Sequence, residues 1–262
     1  MRVTKYGHSC LFIEEGTARI LIDPGSYVFK GNDGEISFST ASRNHAEGGR
    51  GMGCDHSCAY HAAVRGTTRK LLKPEDLPQC NVLLLTHEHA DHTDPEALKQ
   101  IYESGIMNQE SGLILTNEGV KKVLTENGIK FKIEILKPGE IRTVQGVTIR
   151  AIACDHGHIA DHFPRVENVG FLIAGKLFHP GDCVTPSEEV QAEILAVPVV
   201  APWMAVREGL EFVKKVKPKY AIPIHDAMVK WPEVPWYKIF ETGLAGSGIE
   251  FVKMELGKAK EF

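Results

Sequence analysis

Short stretches of alternating or continuous apolar residues, separated by Gly-, Pro- and Asn-bearing turns, mark out the elements along this chain. The opening reads as two strands, about Arg2–Glu14 and Ala18–Asp23, on either side of the turn-prone Glu15-Gly16 pair, and Asp23-Pro24-Gly25 ends the second. From residue 27 to residue 69 the pattern dissolves into Gly, Ser, Asn and His, which predicts a loop or lid inserted into the fold. Order returns at Asn81–Thr86, where Val82-Leu83-Leu84-Leu85 is the continuous apolar run of a strand buried on both faces. Asp94-Pro95-Glu96 then supplies an N-cap, a first-turn proline and an early acid for a helix reaching about Glu103, and a second helix is expected over Asn117–Glu126. Further strands are predicted at Lys132–Leu136, Val147–Ala153, Val169–Ala174, Glu193–Val199, Tyr220–Ile224 and Ile249–Leu256, with helices near Ala205–Val216 and Trp236–Leu244. Strands gather in runs and do not alternate strictly with helices, so the expectation is mixed sheets covered by helices and no doubly wound sheet.

Composition narrows the picture. A chain of 262 residues with 43% hydrophobic content can bury a full core, and we expect residues 1–262 to form a single domain. Thirty basic against 34 acidic residues give a formal charge of -4, and no basic run is present that would track a phosphate backbone, so a nucleic-acid partner is not expected. Neither a signal-like start nor a membrane-length apolar run is apparent, which makes the cytoplasm the simplest location. The six cysteines are scattered and read as free thiols.

The unusual feature is histidine. In Thr86-His87-Glu88-His89-Ala90-Asp91-His92, three imidazoles and the Asp91 carboxylate fall together immediately after a buried strand. Burial would not select that composition, whereas a tight loop at a strand end can turn such side chains towards a common point. Nitrogen and oxygen donors of this kind suit zinc and similar borderline ions. Singly, His156, Asp182 or His225 would read as an ordinary satisfied residue at a strand end.

The motif resembles the His-x-His-x-Asp-His signature of the metallo-β-lactamase superfamily, and Cys154-Asp155-His156-Gly157, His179-Pro180-Gly181-Asp182 and Ile222-Pro223-Ile224-His225-Asp226 resemble its later motifs. Tyr6-Gly7-His8-Ser9-Cys10, Leu21-Ile22-Asp23-Pro24-Gly25, Asn168-Val169-Gly170-Phe171 and Pro198-Val199-Val200-Ala201-Pro202-Trp203 are similar to the ascorbate-6-phosphate lactonase-like branch. The resemblance implies an α+β fold, a four-layer αβ/βα sandwich with the site between two mixed sheets. It further implies two divalent metal ions, zinc first, with manganese or iron fitting the same donors. The first would take His87, His89 and His156; the second Asp91, His92 and His225; Asp182 would bridge them. Asp91 and Asp182 are the catalytic candidates, Asp91 also as acceptor of a proton from water.

Other residues are less committed. His8 could reach substrate or serve as a hydrogen-bonded structural residue, and Asp23 could cap its turn or support the metal ligands. His179 is read as ordering its Pro-Gly turn, and His158 and His162 as exposed. Cys54 and Cys58, with His45, His56 and His61, could hold a separate zinc, although a glycine-rich flap explains them equally well. Trp203 and Trp231 could line a pocket or pack the core.

A hydrolase in which metal-bound hydroxide opens a lactone or related ester, sugar-derived or phosphorylated, is the leading expectation, with a small-molecule phosphodiesterase as the alternative on the same site. A non-catalytic metal-binding module is disfavoured because all seven ligand positions are filled. A small molecule is the expected partner, and self-association is left open.

Overall fold

A computed structural model of the protein describes residues 1–28, 76–108, 110–227 and 236–262. The loop or lid predicted over 27–69, its Cys and His donors and Trp231 therefore lie outside the described residues, apart from Tyr27 and Val28, which are buried against the rest of the chain.

Two seven-stranded mixed sheets organise the chain. The first contains β1 (Arg2–Gly7), β2 (Cys10–Glu15), β3 (Ala18–Ile22), β4 (Val82–Leu84), β5 (Leu113–Thr116), β6 (Lys132–Ile135) and β14 (Ala259–Glu261), in the order β14-β1-β2-β3-β4-β5-β6. The second contains β7 (Ile141–Val144), β8 (Val147–Ala153), β9 (Val169–Ile173), β10 (Leu177–His179), β11 (Ile194–Pro198), β12 (Tyr220–Ile224) and β13 (Glu250–Phe251), in the order β13-β12-β11-β10-β9-β8-β7. Helices α1 (Pro95–Glu103) and α2 (Glu118–Glu126) follow β4 and β5, while α3 (Val206–Val216) and α4 (Trp236–Gly243) flank β12.

Strand alternation explains the layering. Ile20, Ile22, Val82 and Leu84 of the first sheet share one core with Ile149, Ala151, Ile194 and Ala196 of the second. The intervening Leu21 and Leu83 face the other way, where Leu98 and Val120 of α1 and α2 cover them. Leu195 and Val197 turn outward to meet Phe212 of α3 and Phe240 of α4. The result is the expected four-layer αβ/βα sandwich. Each fully buried Leu or Ile contributes about 1.5–3 kcal/mol, so the central layer is the main source of cohesion. Asp94 and Asn117 cap α1 and α2 by accepting from the backbone N–H groups of Glu96 and Val120.

Some boundaries differ from the sequence expectation. Arg2–Glu14 is not one strand but two, β1 and β2, folded back at Gly7-His8-Ser9; His8 there adopts φ +40°. Strands β5, β7, β10 and β14 were not expected, and the last predicted strand, Ile249–Leu256, shrinks to Glu250–Phe251. β7 carries exposed residues at three of four positions, so no apolar pattern announces it. Among the described residues no helix is long and apolar enough to cross a membrane.

Candidate metal centre

The carboxyl ends of the strands from both sheets meet at one edge of the sandwich, and the predicted donors collect there. The segment after β4 carries His87, His89, Asp91 and His92. Its backbone is folded by His92 and Thr93 N–H groups donating to the His89 carbonyl at 2.9 and 2.7 Å, and Thr93 Oγ1 donates to the His87 carbonyl at 2.7 Å. Gly25 sits under this loop: a Cβ there would lie 1.9 Å from the Asp91 carbonyl oxygen, so only glycine lets the chains approach this closely. Residues after β8, β10 and β12 bring His156, Asp182 and His225 from the second sheet.

Donor atoms of His87, His89 and His156 lie within 4.8 Å of one another, as do those of His87, His92 and Asp182, and those of His8, Asp91, His92 and His225. Asp182 stands between the groups. Its Oδ1 is 3.0 Å from His92 Nε2, and its Oδ2 is 3.2 Å from His225 Nε2, 3.5 Å from His156 Nε2 and 3.9 Å from His87 Nε2. All seven residues of the predicted ligand set are thus brought together.

The outward nitrogen of four imidazoles is already engaged. His92 Nδ1 donates to Asp23 Oδ2 at 2.8 Å, His156 Nδ1 to the Gly157 carbonyl at 2.6 Å and His225 Nδ1 to the Val200 carbonyl at 2.6 Å. Thr86 Oγ1 donates to Asp23 Oδ2 at 2.8 Å and so accepts from His87 Nδ1 at 3.1 Å. Each Nε2 is left pointing to the common space. Those of His87 and His156 are buried and have no hydrogen-bond partner among the described residues.

Electrostatics follow from this packing. Burial alone would lower both His92 and His225, but facing carboxylates outweigh it: Asp182 and Asp23 hold His92 well above the ordinary imidazole value, and Asp182 with Asp91 pushes His225 up to about 10. Burial would raise Asp91 and Asp182, yet the surrounding imidazoles, His92 against Asp91 and His225 with His92 against Asp182, hold both well below the usual carboxylate range. Burial and the neighbouring His92 keep His87 well below its ordinary value. Burial also lowers His8, to about 4, although Asp91 opposes the shift.

The uncommitted residues now have positions. Asp23 does not cap its turn with its carboxylate, since the Gly25 N–H closes that turn on the Asp23 carbonyl at 2.9 Å. The carboxylate instead accepts from Thr86 N–H at 2.9 Å, Thr86 Oγ1 and His92 Nδ1. His179 accepts from Gly181 N–H at 3.2 Å and donates to the Ser9 carbonyl at 2.9 Å, tying its Pro-Gly turn to the first sheet. His8 is buried, donating to Asp91 Oδ2 at 3.1 Å. His158 and His162 are exposed.

Sequence reasoning left Trp203 between pocket lining and core packing and assigned Asn168 no role at the centre. The Trp203 indole N–H donates to Asp182 Oδ2 at 2.8 Å, and its ring packs so tightly on Gly157 that a Cβ there would meet it at 2.1 Å. Asn168 accepts from the Asp182 N–H at 3.2 Å and donates to the Cys154 and Pro180 carbonyls at 2.8 and 3.0 Å. The Asn168-Val169 and Pro202-Trp203 motifs pointed to these stretches without indicating what their side chains hold.

Two faces of the centre are accessible. His89 and Asp91 are half-buried. A cavity of about 360 Å³ beside His156 is bounded by Gly157, His158, Ile159, Phe163 and Arg165 of the β8–β9 connection. A larger cavity of about 610 Å³, near Glu188–Glu193 and Lys215–Lys217, contains none of these donors.

Two seven-stranded sheets packed face to face, with a His/Asp cluster at the ends of their strands, define a metallo-β-lactamase fold. The sequence profile of the Beta-lactamase superfamily domain matches residues 2–225, and the chain belongs to that superfamily. Protein Rv0786c of Mycobacterium tuberculosis is 27% identical over 236 residues, which cover 87% of this chain and 85% of the relative. A UPF0173 metal-dependent hydrolase of Thermoplasma acidophilum, Ta0764, is 27% identical over 163 residues, covering 59% of this chain and 68% of its own. In structure the chain is similar to the metallo-beta-lactamase fold protein YhfI of Bacillus subtilis, with a TM-score of 0.60 at 14% identity over 100% of this chain and 99% of that one.

Proposed function

We propose that this protein is a cytoplasmic, metal-dependent hydrolase that binds two divalent ions, zinc first, and opens a lactone or a related ester. The observation that carries the reading is the tautomeric arrangement: four imidazoles have their Nδ1 protons engaged by fixed acceptors and their Nε2 atoms aimed at one space beside Asp91 and Asp182. That is the support a metal-ligating histidine receives from its surroundings. His87, His89 and His156 would hold one ion, and Asp91, His92 and His225 the other, with Asp182 reaching both. Protons on His92 and His225 are the charges a cation would displace, because a ligand nitrogen must offer its lone pair.

When bound, the two ions supply electrophilic polarisation of the substrate oxygen and lower the pKa of water towards neutrality. The chain does the rest. Asp91, kept ionised by its imidazole neighbours, is held through Oδ2 by the His8 N–H and would be the acceptor of a proton from water. Trp203 fixes the rotamer of Asp182 through Oδ2. The cavity beside His156 gives a small molecule room to lie against the centre, with Phe163 and Ile159 offering apolar surface.

Support for a lactone comes from the Tyr6–Cys10 and Pro198–Trp203 motifs and their likeness to the ascorbate-6-phosphate lactonase-like branch. The test is elemental analysis of the purified chain together with turnover of a panel of lactones and phosphodiesters, for the native protein, His89→Ala and Asp182→Asn. Two ions per chain and lactone opening lost in both variants are expected. Turnover of phosphodiesters alone would replace the substrate reading, and a native chain without stoichiometric metal would overturn the whole of it.

A further inference from the structure

We propose that the first strand carries a latch, formed by Lys5 and His8, that grips the chain on both sides of His225 and so sets the position of the second ion; this rests on the two-ion reading above. Lys5 points into the space between the sheets, the same direction as Val3 two residues earlier. There an apolar side chain would suffice for packing, yet the position holds a lysine whose side chain is 2% exposed. Its Nζ donates to the Pro223 carbonyl and to Asp226 Oδ2, both at 2.5 Å. Tyr237 from α4 donates to the same Asp226 oxygen. Pro223 precedes His225 by two residues and Asp226 follows it directly, so one ammonium group holds both flanks.

His8 completes the grip three residues further on. The Ala227 N–H donates to His8 Nδ1 at 3.3 Å, which places the His8 proton on Nε2, the atom 3.1 Å from Asp91 Oδ2. His8 is therefore a donor to Asp91, a positioning residue and not a fourth ligand, even though it lies within the same group of potential donors. The rings of His8 and His225 are 4.1 Å apart between centroids. Both residues take a left-handed backbone, φ +40° and +55°, a conformation that non-glycine residues keep only where surrounding contacts enforce it. At His225 the Val200 carbonyl holds the ring, while Lys5 and His8 hold the backbone on either side of it.

A purely structural clamp is the competing account. A buried ion pair is a poor source of net stability, because desolvating both charges offsets most of their attraction. The geometric value of this one is that it fixes a ligand from the opposite sheet. If so, its loss should weaken one ion and spare the other.

The experiment is calorimetric titration of the metal-free full chain with zinc, with thermal unfolding measured alongside, for the native protein, Lys5→Met/Asp226→Asn and His8→Asn. The double variant removes both charges together, and asparagine tolerates the left-handed backbone at position 8 while being too short to reach Asp91. Both variants are expected to bind one zinc with native affinity and the second about tenfold to a hundredfold more weakly, the range seen when support of a metal ligand is removed. Native affinity for both ions in either variant, or equal loss of both ions, would overturn the latch. Should the double variant fail to unfold cooperatively, His8→Asn alone decides on the same criteria. A native chain binding fewer than two ions would instead remove the two-ion reading itself.

Discussion

In the first sheet, antiparallel pairings from β14 through β1 and β2 to β3 give way to parallel ones from β3 through β4 and β5 to β6. The second sheet repeats the change, antiparallel along β7, β8, β9 and β10 and parallel along β10, β11, β12 and β13. Even the ends of the switch strands correspond: β3 runs into Asp23-Pro24-Gly25 and β10 into His179-Pro180-Gly181. With the same plan, the halves deliver chemistry differently. The first concentrates four donors in the six residues His87–His92, shortly after β4. The second spreads three over the ends of β8, β10 and β12, and each needs its own support: the Gly157 carbonyl for His156, Trp203 and Asn168 for Asp182, the Val200 carbonyl for His225. The contiguous loop folds through its own backbone and shares the Asp23–Thr86 pair as support for His87 and His92, whereas each dispersed donor has separate neighbours.

The comparison breaks most readily at Asp182. If one dispersed carboxylate serves both ions, Asp182→Asn should cost at least about 10³-fold in turnover, several kcal/mol of transition-state stabilisation, and match His89→Ala from the contiguous loop. A residual activity within tenfold of native would show the second half to be dispensable. Trp203→Phe probes the dependence on neighbours. Removing only the indole donor should weaken zinc binding by about tenfold to a hundredfold with an unchanged circular dichroism spectrum, while native affinity would mean that Asp182 holds its own rotamer.

Asp23→Asn sharpens the first half. The amide keeps the shape and tolerates the φ of +46°, but replaces one of the acceptors facing Thr86 and His92 with a donor. The expected destabilisation is about 1–3 kcal/mol, read as a drop in Tm of about 2–4 °C for each kcal/mol. An unchanged Tm would mean that the loop after β4 supports itself. Smallest of all, Glu211→Ala breaks an exposed pair with Arg207 on α3 and should shift stability by no more than about 0.5 kcal/mol. A larger change would give the outer helices a part that the comparison denies them.

The same contrast governs what could be read from the sequence. His87, His89, Asp91 and His92 declared themselves because their spacing after Val82–Leu85 has no packing explanation. His156, Asp182 and His225 were legible only through family likeness, since each is by itself an ordinary polar residue at a strand end. Trp203 was legible only as a residue of pocket or core, and Lys5 not at all. Their roles depend on contacts with Asp182 and with Pro223 and Asp226, separations of 21, 218 and 221 residues that no local pattern encodes. Mixed sheets covered by helices were foreseen from grouped strands and buried runs, and the four-layer sandwich from family likeness, but β7 and β14, with mostly exposed side chains, have no apolar signature.

Residues 259–261 pair with residues 2–4, placing the most distant parts of the described chain side by side at the edge of the first sheet. Sheets built from such remote partners are expected to form slowly, because the loop-closure entropy must be met before the pairing contributes anything. Until that happens β1 presents an open row of backbone donors and acceptors, a surface on which strands from other molecules can add. The strand that completes the first sheet thus also guards against aggregation during folding, even though it lies in no part of the edge that carries the His/Asp cluster.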